Sequence, residues 1–320
     1  MWKLLKALAV AAACVASAGA HAQTYPDRSI KLFIANAPGG GTDITGRIIA
    51  EGLSKKLGQA VVVENHPGAA GIIGDSMAAH APPDGYNVLY DSASFAVNPA
   101  IRTLSYDPRN DFIPLSLSVT QPNVLVVAAN SPIKTLQDYI KAAKDHPGKI
   151  TFGSAGIGTG QHMTGELFRN RAHVDILHVP YKAGAAVYVD LIGGQITSYF
   201  ANLGSAEEYI RSGKLRALAV TSAKRNSRLP DVPTLEESGF PGFEVSEWAG
   251  AYVPKGTPPA IVDKLSKEYQ AVVHEPKVEH ALEQAGVDVV GSNQADFEKF
   301  LDSEFKRWSD LAKANNIRAQ

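Results

Sequence analysis

The chain of 320 residues holds a single cysteine, Cys14. It falls within the first 22 residues, which read as a removable leader. Lys3 and Lys6 give a short basic start, an apolar run follows, and Ala20-His21-Ala22 is an A-x-A cleavage pattern, so Gln23 would begin the mature chain. The apolar run is shorter than the ~20 residues that a spanning helix needs. Ala11 stands where a lipoprotein box wants Leu, Val or Ile, which disfavours lipidation at Cys14. Loss of the leader removes the only thiol. That excludes an intrachain disulfide, a cysteine nucleophile, a thiolate zinc site and an iron–sulfur cluster, and it suits an oxidising periplasm.

Basic blocks are also missing. Without Lys3 and Lys6, Lys+Arg falls from 31 to 29 against 32 Asp+Glu, a net charge near −3. Such a chain is a poor partner for nucleic acid or for anionic membrane surfaces. No later stretch approaches a transmembrane span. Hydrophobic content of 45% and charged content of 20% are ordinary for a globular protein, and about 298 mature residues favour two domains.

Several catalytic and cofactor signatures fail residue by residue. Gly39-Gly40-Gly41-Thr42-Asp43-Ile44 lacks the Lys-Ser/Thr of a P-loop and puts Ile44 where a dinucleotide site wants its third glycine. Gly156-Ile157-Gly158-Thr159-Gly160-Gln161 fails that pattern at Gln161. Phosphate cofactors are therefore disfavoured, and no cofactor is expected. H-E-x-x-H is absent around His162 and Glu166, and His173 and His178 are five apart in a strand-like region and so face opposite ways; no metal site is expected. Ser154 lies in Gly153-Ser154-Ala155-Gly156, not in a G-x-S-x-G elbow. A hydrolase triad assembled in space remains the rival from another class, with no spacing to pick it out.

What the chain has is glycine in two equivalent places, roughly 117 residues apart. Residues 30–37 read as a buried strand, Pro38-Gly39-Gly40-Gly41-Thr42-Asp43 as a tight loop, and residues 43–57 as a helix with Asp43 and Arg47 as an i,i+4 pair. Residues 150–152 lead through the second glycine loop into a helix from Gln161. A tight loop feeding a helix N-terminus presents unpaired N–H groups and a positive dipole end, which attract anions. Either loop alone is equally well a mere turn; two at equivalent positions point to two lobes gripping one anionic ligand. Neither loop contains arginine, so backbone N–H groups and hydroxyls would hold the anion.

The remaining pattern alternates strand and helix, as in parallel sheets with crossover helices. Strands are expected over 60–64, 86–90, 123–129, 174–179, 195–200 and 215–221, and helices over 72–80, 135–146 and 184–192. Leu229-Pro230-Asp231-Val232-Pro233 reads as a crossing between halves, and Thr257 as the cap of a helix with Pro258 first. The region 260–317 reads as helices with a short strand near 287–290. His162 either donates to an anion or caps local backbone, with the structural role favoured. Phe95, Trp248 and Tyr252 either wall a cleft or fill core, and core suits Tyr252.

At these residues the chain resembles the tripartite tricarboxylate transporter substrate-binding family, the periplasmic receptors also called Bug proteins. The landmarks include Ala37-Pro38-Gly39-Gly40-Gly41-Thr42-Asp43, Val63-Glu64-Asn65-His66-Pro67-Gly68-Ala69, Pro83-Asp84-Gly85-Tyr86, Gly158-Thr159-Gly160-Gln161-His162, His178-Val179-Pro180-Tyr181-Lys182, Asp190-Leu191-Ile192-Gly193-Gly194-Gln195 and Leu229-Pro230-Asp231-Val232-Pro233-Thr234. They run in order over essentially the whole mature chain. The resemblance implies an α/β fold of the two-lobed periplasmic-binding-protein type II (Venus flytrap) kind, each lobe a mostly parallel sheet flanked by helices. Lobe 1 is expected from 23–123 plus 228–320, and lobe 2 from 124–227.

It further implies no catalysis, a small organic acid as ligand, a periplasmic location and a membrane permease as partner; a monomer is the default expectation, since the sequence shows no oligomerisation stripe. A ligand sensor reporting to a membrane signalling system is the alternative with the same site. The implied ligand-binding residues are Asn36, Ala37, Pro38, Gly39, Gly40, Gly41 and Thr42 in the first loop, and Ser154, Gly156, Gly158, Thr159 and His162 in the second. Strand ends add Ser92, Ser94 and Phe95, then Ala201 and Asn202; Trp248 lies where the chain has returned to the first lobe. Two departures bear on the ligand. Many relatives carry Phe-Pro-Pro before the first glycines, against Ala35-Asn36-Ala37-Pro38 here. Many carry an acid in a Phe-Asp-Asn segment, against Phe200-Ala201-Asn202 here. Loss of that acid disfavours an amino acid and favours a dicarboxylate or aromatic carboxylate.

Overall fold

The computed structural model describes residues 25–319. The leader and its cleavage pattern lie outside the described residues. Among those described, no helix is long and apolar enough to cross a membrane.

The architecture hangs on one long strand. β4 (Phe112–Ala128) runs 17 residues and belongs to two sheets in succession. Its first part pairs antiparallel with β9 (Ser246–Pro254), from Phe112↔Pro254 to Pro122↔Ser246. Its last part pairs antiparallel with β7 (Ser198–Asn202) on one edge and β8 (Leu215–Val220) on the other. Register shifts at Pro114/Ser116 and Leu117/Val119 mark bulges, the usual means by which a long strand bends.

Around β4 each lobe carries a parallel three-stranded unit. In the first, β1 (Ile30–Ile34) lies between β2 (Val61–Asn65) and β3 (Asn87–Ser92), and β3 pairs antiparallel with β9. In the second, β5 (Ile150–Ser154) lies between β6 (Ile176–Pro180) and β7. The short β10 (Asp288–Val289) pairs with β4. The parallel part of each sheet is thus three strands, and antiparallel strands complete it. The buried apolar run Leu32–Ile34 is what a strand covered on both faces requires, with Lys31 at its exposed start.

Helices cover both faces. α1 (Gly41–Leu57), α2 (Ile72–Ala79) and α3 (Ser94–Ile101) follow β1, β2 and β3. α4 (Leu136–Asp145), α5 (Gly160–Ala172), α6 (Gly184–Ile192) and α7 (Leu203–Arg211) serve the second lobe, and α8 (Pro259–Val273), α9 (Pro276–Gln284) and α10 (Gln294–Ala314) return to the first. α4 starts with a full capping box, Thr135 with Asp138. One apolar cluster lies under α1 and α8, a second under α6 and α7. A third is shared by the lobes and joins Phe95, Trp248, Phe297 and Trp308 to Leu125, Phe168 and Phe200.

Three expectations shift. The segment 229–233 is not the crossing: Val220 N–H bonds to Pro233 O, Leu235 N–H to Val220 O and Val245 N–H to Thr221 O, so the chain stays on the second lobe and recrosses at Val245–Ser246. Thr257 does not cap α8; its hydroxyl donates to Pro254 O at 2.8 Å, Pro258 is the N-cap and Pro259 the first helical residue. α3, α7 and β9 were not anticipated, and α3 carries Pro99 inside it.

Arg102 ties the lobes at the edge of the cleft. It donates to Ala69 O (3.0 Å) in the first lobe and to Ile157 O (2.7 Å) in the second glycine loop. In the shared cluster, buried Glu304 accepts from Trp248 Nε1 and Trp308 Nε1, both at 3.0 Å, and from Arg307 at 2.8 Å. Burial raises its pKa, and Arg307 and the two indoles act against that rise. Glu304→Leu leaves two buried indole N–H groups unpaired at ~1–3 kcal/mol each. The expected result is a loss of about 2–4 kcal/mol, read from urea unfolding; an unchanged midpoint would contradict it.

Candidate functional site

Between the lobes lies a cavity of ≈ 710 Å³ whose floor is formed by the crossing strands β4 and β9. The two glycine loops face it from opposite sides. In the first, Gly40 is the N-cap of α1 and offers no side-chain hydrogen bond, so the amides of the first turn are left for a ligand. Asn36, Ala37, Pro38, Gly39, Gly40, Gly41 and Thr42 all line the cavity.

This loop is held from behind by Asp43. Its Oδ2 accepts from Gly39 N–H (2.8 Å), and its Oδ1 from Arg47 Nε (2.9 Å) and Asn65 Nδ2 (2.8 Å). Burial acts to raise the carboxyl pKa, but the bonds from Arg47, Gly39 and Asn65 outweigh it and the net direction is down. Asn65 also donates to Asn36 O at 3.1 Å. Asn36 in turn donates to Asp91 Oδ1 at 2.9 Å. Asp91 and Asp75 are fully buried, Asp75 accepts from Tyr106, and Asp75 Oδ1 and Asp91 Oδ2 have no other donor. Burial raises both pKa values. One proton shared between the two carboxyl groups satisfies both oxygens.

The second loop divides its residues between back and front. Ser154 Oγ bonds to His178 Nε2 (2.6 Å) and to Gly156 O (3.0 Å), and Thr159 Oγ1 donates to Gly156 O (2.8 Å). His162 Nδ1 accepts from Gly158 N–H at 3.3 Å, which leaves Nε2 as the protonated nitrogen. Its ring lies 4.0 Å from that of His178. Burial, then Arg102, pushes His162 down to about 4; burial, then His162, pushes His178 down to about 3. Both are neutral. Ser154, Gly156, Gly158 and His162 therefore shape the loop from behind, whereas Thr159, Gly160 and Gln161 line the cavity.

Of the strand-end residues, Ser92 and Ser94 line the cavity, their hydroxyls 3.1 Å apart. Asn202 does too, fixed by Gln161 Nε2 at 2.6 Å. Ala201 does not; it is fully buried in the cluster under α6 and α7. Phe95 is core, stacked on the equally buried Tyr252 at 4.4 Å. Trp248 touches the cavity while its indole N–H is turned to Glu304.

Sequence reasoning passed over other lining residues. Lys182, just beyond β6, is the only basic side chain among the described residues that line the cavity. Gln121 of β4, the turn Ala69–Gly71 and the tyrosines 188, 199 and 209 also line it. So does Glu247 of β9, which is 8% exposed with Oε1 unpartnered. Its signal was a charge inside an otherwise apolar run, Glu247-Trp248-Ala249-Gly250-Ala251.

The site is thus a cleft with two amide-rich helix starts and a lysine, and among the described residues no assembled nucleophile–base pair lines it. Residues 45–317 match the family model described as tripartite tricarboxylate transporter family receptor. The chain belongs to this family. Its members are periplasmic solute-binding receptors, not enzymes. The chain is 34% identical to protein BugT of Bordetella pertussis, over 98% of this chain and 99% of that one. Among solved structures it is similar to R. palustris Rpa4515 with adipate, at 32% identity and TM-score 0.85, covering 92% of this chain and 99% of the other. It is also similar to MatC from Rhodopseudomonas palustris with bound malate, at 29% identity and TM-score 0.81, covering 90% and 99%.

Asp43→Ala frees Gly39, Arg47 and Asn65 at once, with an expected cost of about 2–3 kcal/mol at neutral pH. A carboxyl with a lowered folded-state pKa stabilises above its unfolded value of ~3.9, and the contribution is lost as pH falls through the folded value. The gap between wild type and variant in chemical unfolding is therefore full at pH 7 and closes below about pH 4. A gap that persists undiminished at pH 2.5 contradicts this account.

Proposed function

We propose that this receptor captures a small dicarboxylate between its lobes and delivers it to a tripartite tricarboxylate-type membrane transporter. The observation that carries the reading is the pair of uncapped or part-capped helix starts, at Gly41 and Gly160, facing one cavity of ≈ 710 Å³ from opposite lobes. Two carboxylates on one short chain match two anion seats. Lys182 adds one cation, and the tyrosines 188, 199 and 209 give an amphipathic wall for the body of the ligand. Adipate and malate in the similar R. palustris receptors support this class over tricarboxylates and aromatic acids. Charge-assisted hydrogen bonds at ~1.5–3 kcal/mol each, from two seats, reach the roughly −8 kcal/mol of micromolar affinity after association costs.

In this reading the ligand contacts are the first-loop residues 36–42, Ser92 and Ser94 on one side, and Thr159, Gly160, Gln161, Lys182 and Asn202 on the other. Ser154, Gly156, Gly158 and His162 act on the ligand through loop shape. The lobes divide near 122/123 and 245/246. Closure is a hinge motion in which the ligand favours the closed state by touching both lobes. The leader at residues 1–22 directs export to the periplasm and is removed there.

The test is a thermal-shift and calorimetric screen of residues 23–320 with adipate, malate, citrate, benzoate, aspartate and glutamate. A dicarboxylate at a hundredfold excess over Kd stabilises the fold by about 2.7 kcal/mol. Preference for aspartate or glutamate over the diacids without an amino group would overturn the ligand class. Silence toward every acid, in protein shown by native mass spectrometry to be empty, would overturn the function.

A further inference from the structure

Glu247 is an odd residue to find on the floor of an anion-binding cleft. It sits on a crossing strand, is more than nine-tenths buried, and lines the cavity with one oxygen lacking any partner. Its carboxyl group lies against the first residue of α5: a Cβ on Gly160 would overlap both of its oxygens. Gly160 has an ordinary backbone conformation, so the glycine there is demanded by Glu247 rather than by a turn. The carboxyl thus stands at the helix start that the proposed function gives to the ligand.

Its surroundings decide which form it takes. From β4 the neutral Asn123 faces it, and Gln121 is its register partner. From β7 the Tyr199 phenol faces it, and Glu247 adds to the upward push on that phenol. From α10 comes the negative Glu304, paired with Arg307. α5 contributes its N-terminal amides, with neutral His162 and the Glu166–Arg169 pair further along. Burial first, with Glu304 adding to it against Asn123, pushes Glu247 up to about 7. An arriving anion is a further like charge and raises it more.

Resting on the receptor reading above, we propose that Glu247 meets the ligand as a neutral carboxylic acid, donating its proton in a hydrogen bond to a ligand carboxylate or hydroxyl and setting the preference for acids without an amino group. The carboxyl O–H bond stays intact, and the proton is drawn from bulk water as the ligand binds. A charged carboxylate at Glu247 would serve a ligand ammonium; a neutral one repels neither carboxylate of a diacid.

The experiment is calorimetric titration of wild type and Glu247→Gln with adipate, malate and aspartate from pH 6 to pH 9, in buffers of different ionisation enthalpy, with thermal melts on both proteins at each pH. Wild-type Kd is expected to rise with pH above about 7, approaching tenfold per unit, with net proton uptake on binding. Glu247→Gln, which keeps the donor and cannot titrate, reduces that slope to under twofold per unit and abolishes the uptake. A flat wild-type profile with diacid binding intact overturns the role of Glu247 and leaves the receptor reading standing. Affinity for aspartate that rises with pH and vanishes in Glu247→Gln assigns an ammonium acceptor and overturns it also. Absence of diacid binding at every pH in well-folded wild type overturns the receptor reading, and this role with it.

Discussion

Everything in this receptor depends on the continuity of β4. Its early residues are bonded to β9 and its late residues to β7 and β8, so one extended chain belongs to both lobes. The second crossing, into β9, lies alongside it. A floor made of two paired strands has its main-chain groups engaged in the ladder, so what it offers to the cavity is side chain, Gln121, Glu247 and Trp248 among the lining residues. The main-chain donors come instead from the two loops above. On the proposed reading, this separation assigns the grip on the anion to the loops and the choice among acids to the floor.

Both loops are braced from behind by hydrogen bonds. Asp43 gathers Gly39, Arg47 and Asn65 behind one loop; Ser154, Thr159 and the His162–His178 pair fasten the other. Ionisable groups are used in two ways here. Asp43 is charged and tied by donors, whereas the histidines are buried and kept neutral. Ordering the amides in advance spares the ligand an entropic cost of association.

The sequence was most legible where structure is locally determined. Gly184–Ile192 was read to the residue, and the helix expected over 135–146 runs Leu136–Asp145 with Thr135 as its cap. Both glycine loops were legible because tight turns before helices need glycine wherever they occur. Pro99 hid α3, since a proline six residues into an eight-residue helix reads as a break. Pro114 and Pro122 likewise hid the length of β4, where bulges and edges accommodate them. The crossing was misplaced at Leu229–Pro233 because the bridge from Val220 to Thr234 is tertiary. Phe95 and Ala201 were drawn to the site by position along the chain, while their side chains point to core. Glu247 was missed for the converse reason: its meaning depends on Gly160, a contact no local pattern contains.

The Arg102 bridge has a consequence of another kind. Its two acceptors are main-chain oxygens on opposite lobes, one beside the first anion seat and one within the second loop. Neither can be altered by changing an acceptor side chain, so a single guanidinium governs the strap. Arg102 itself belongs to the first lobe, at the end of α3, so separation of the lobes breaks the bond to Ile157 O while the bond to Ala69 O travels with the first lobe. Arg102 therefore bears on how readily the lobes part at that edge, although it does not line the cavity.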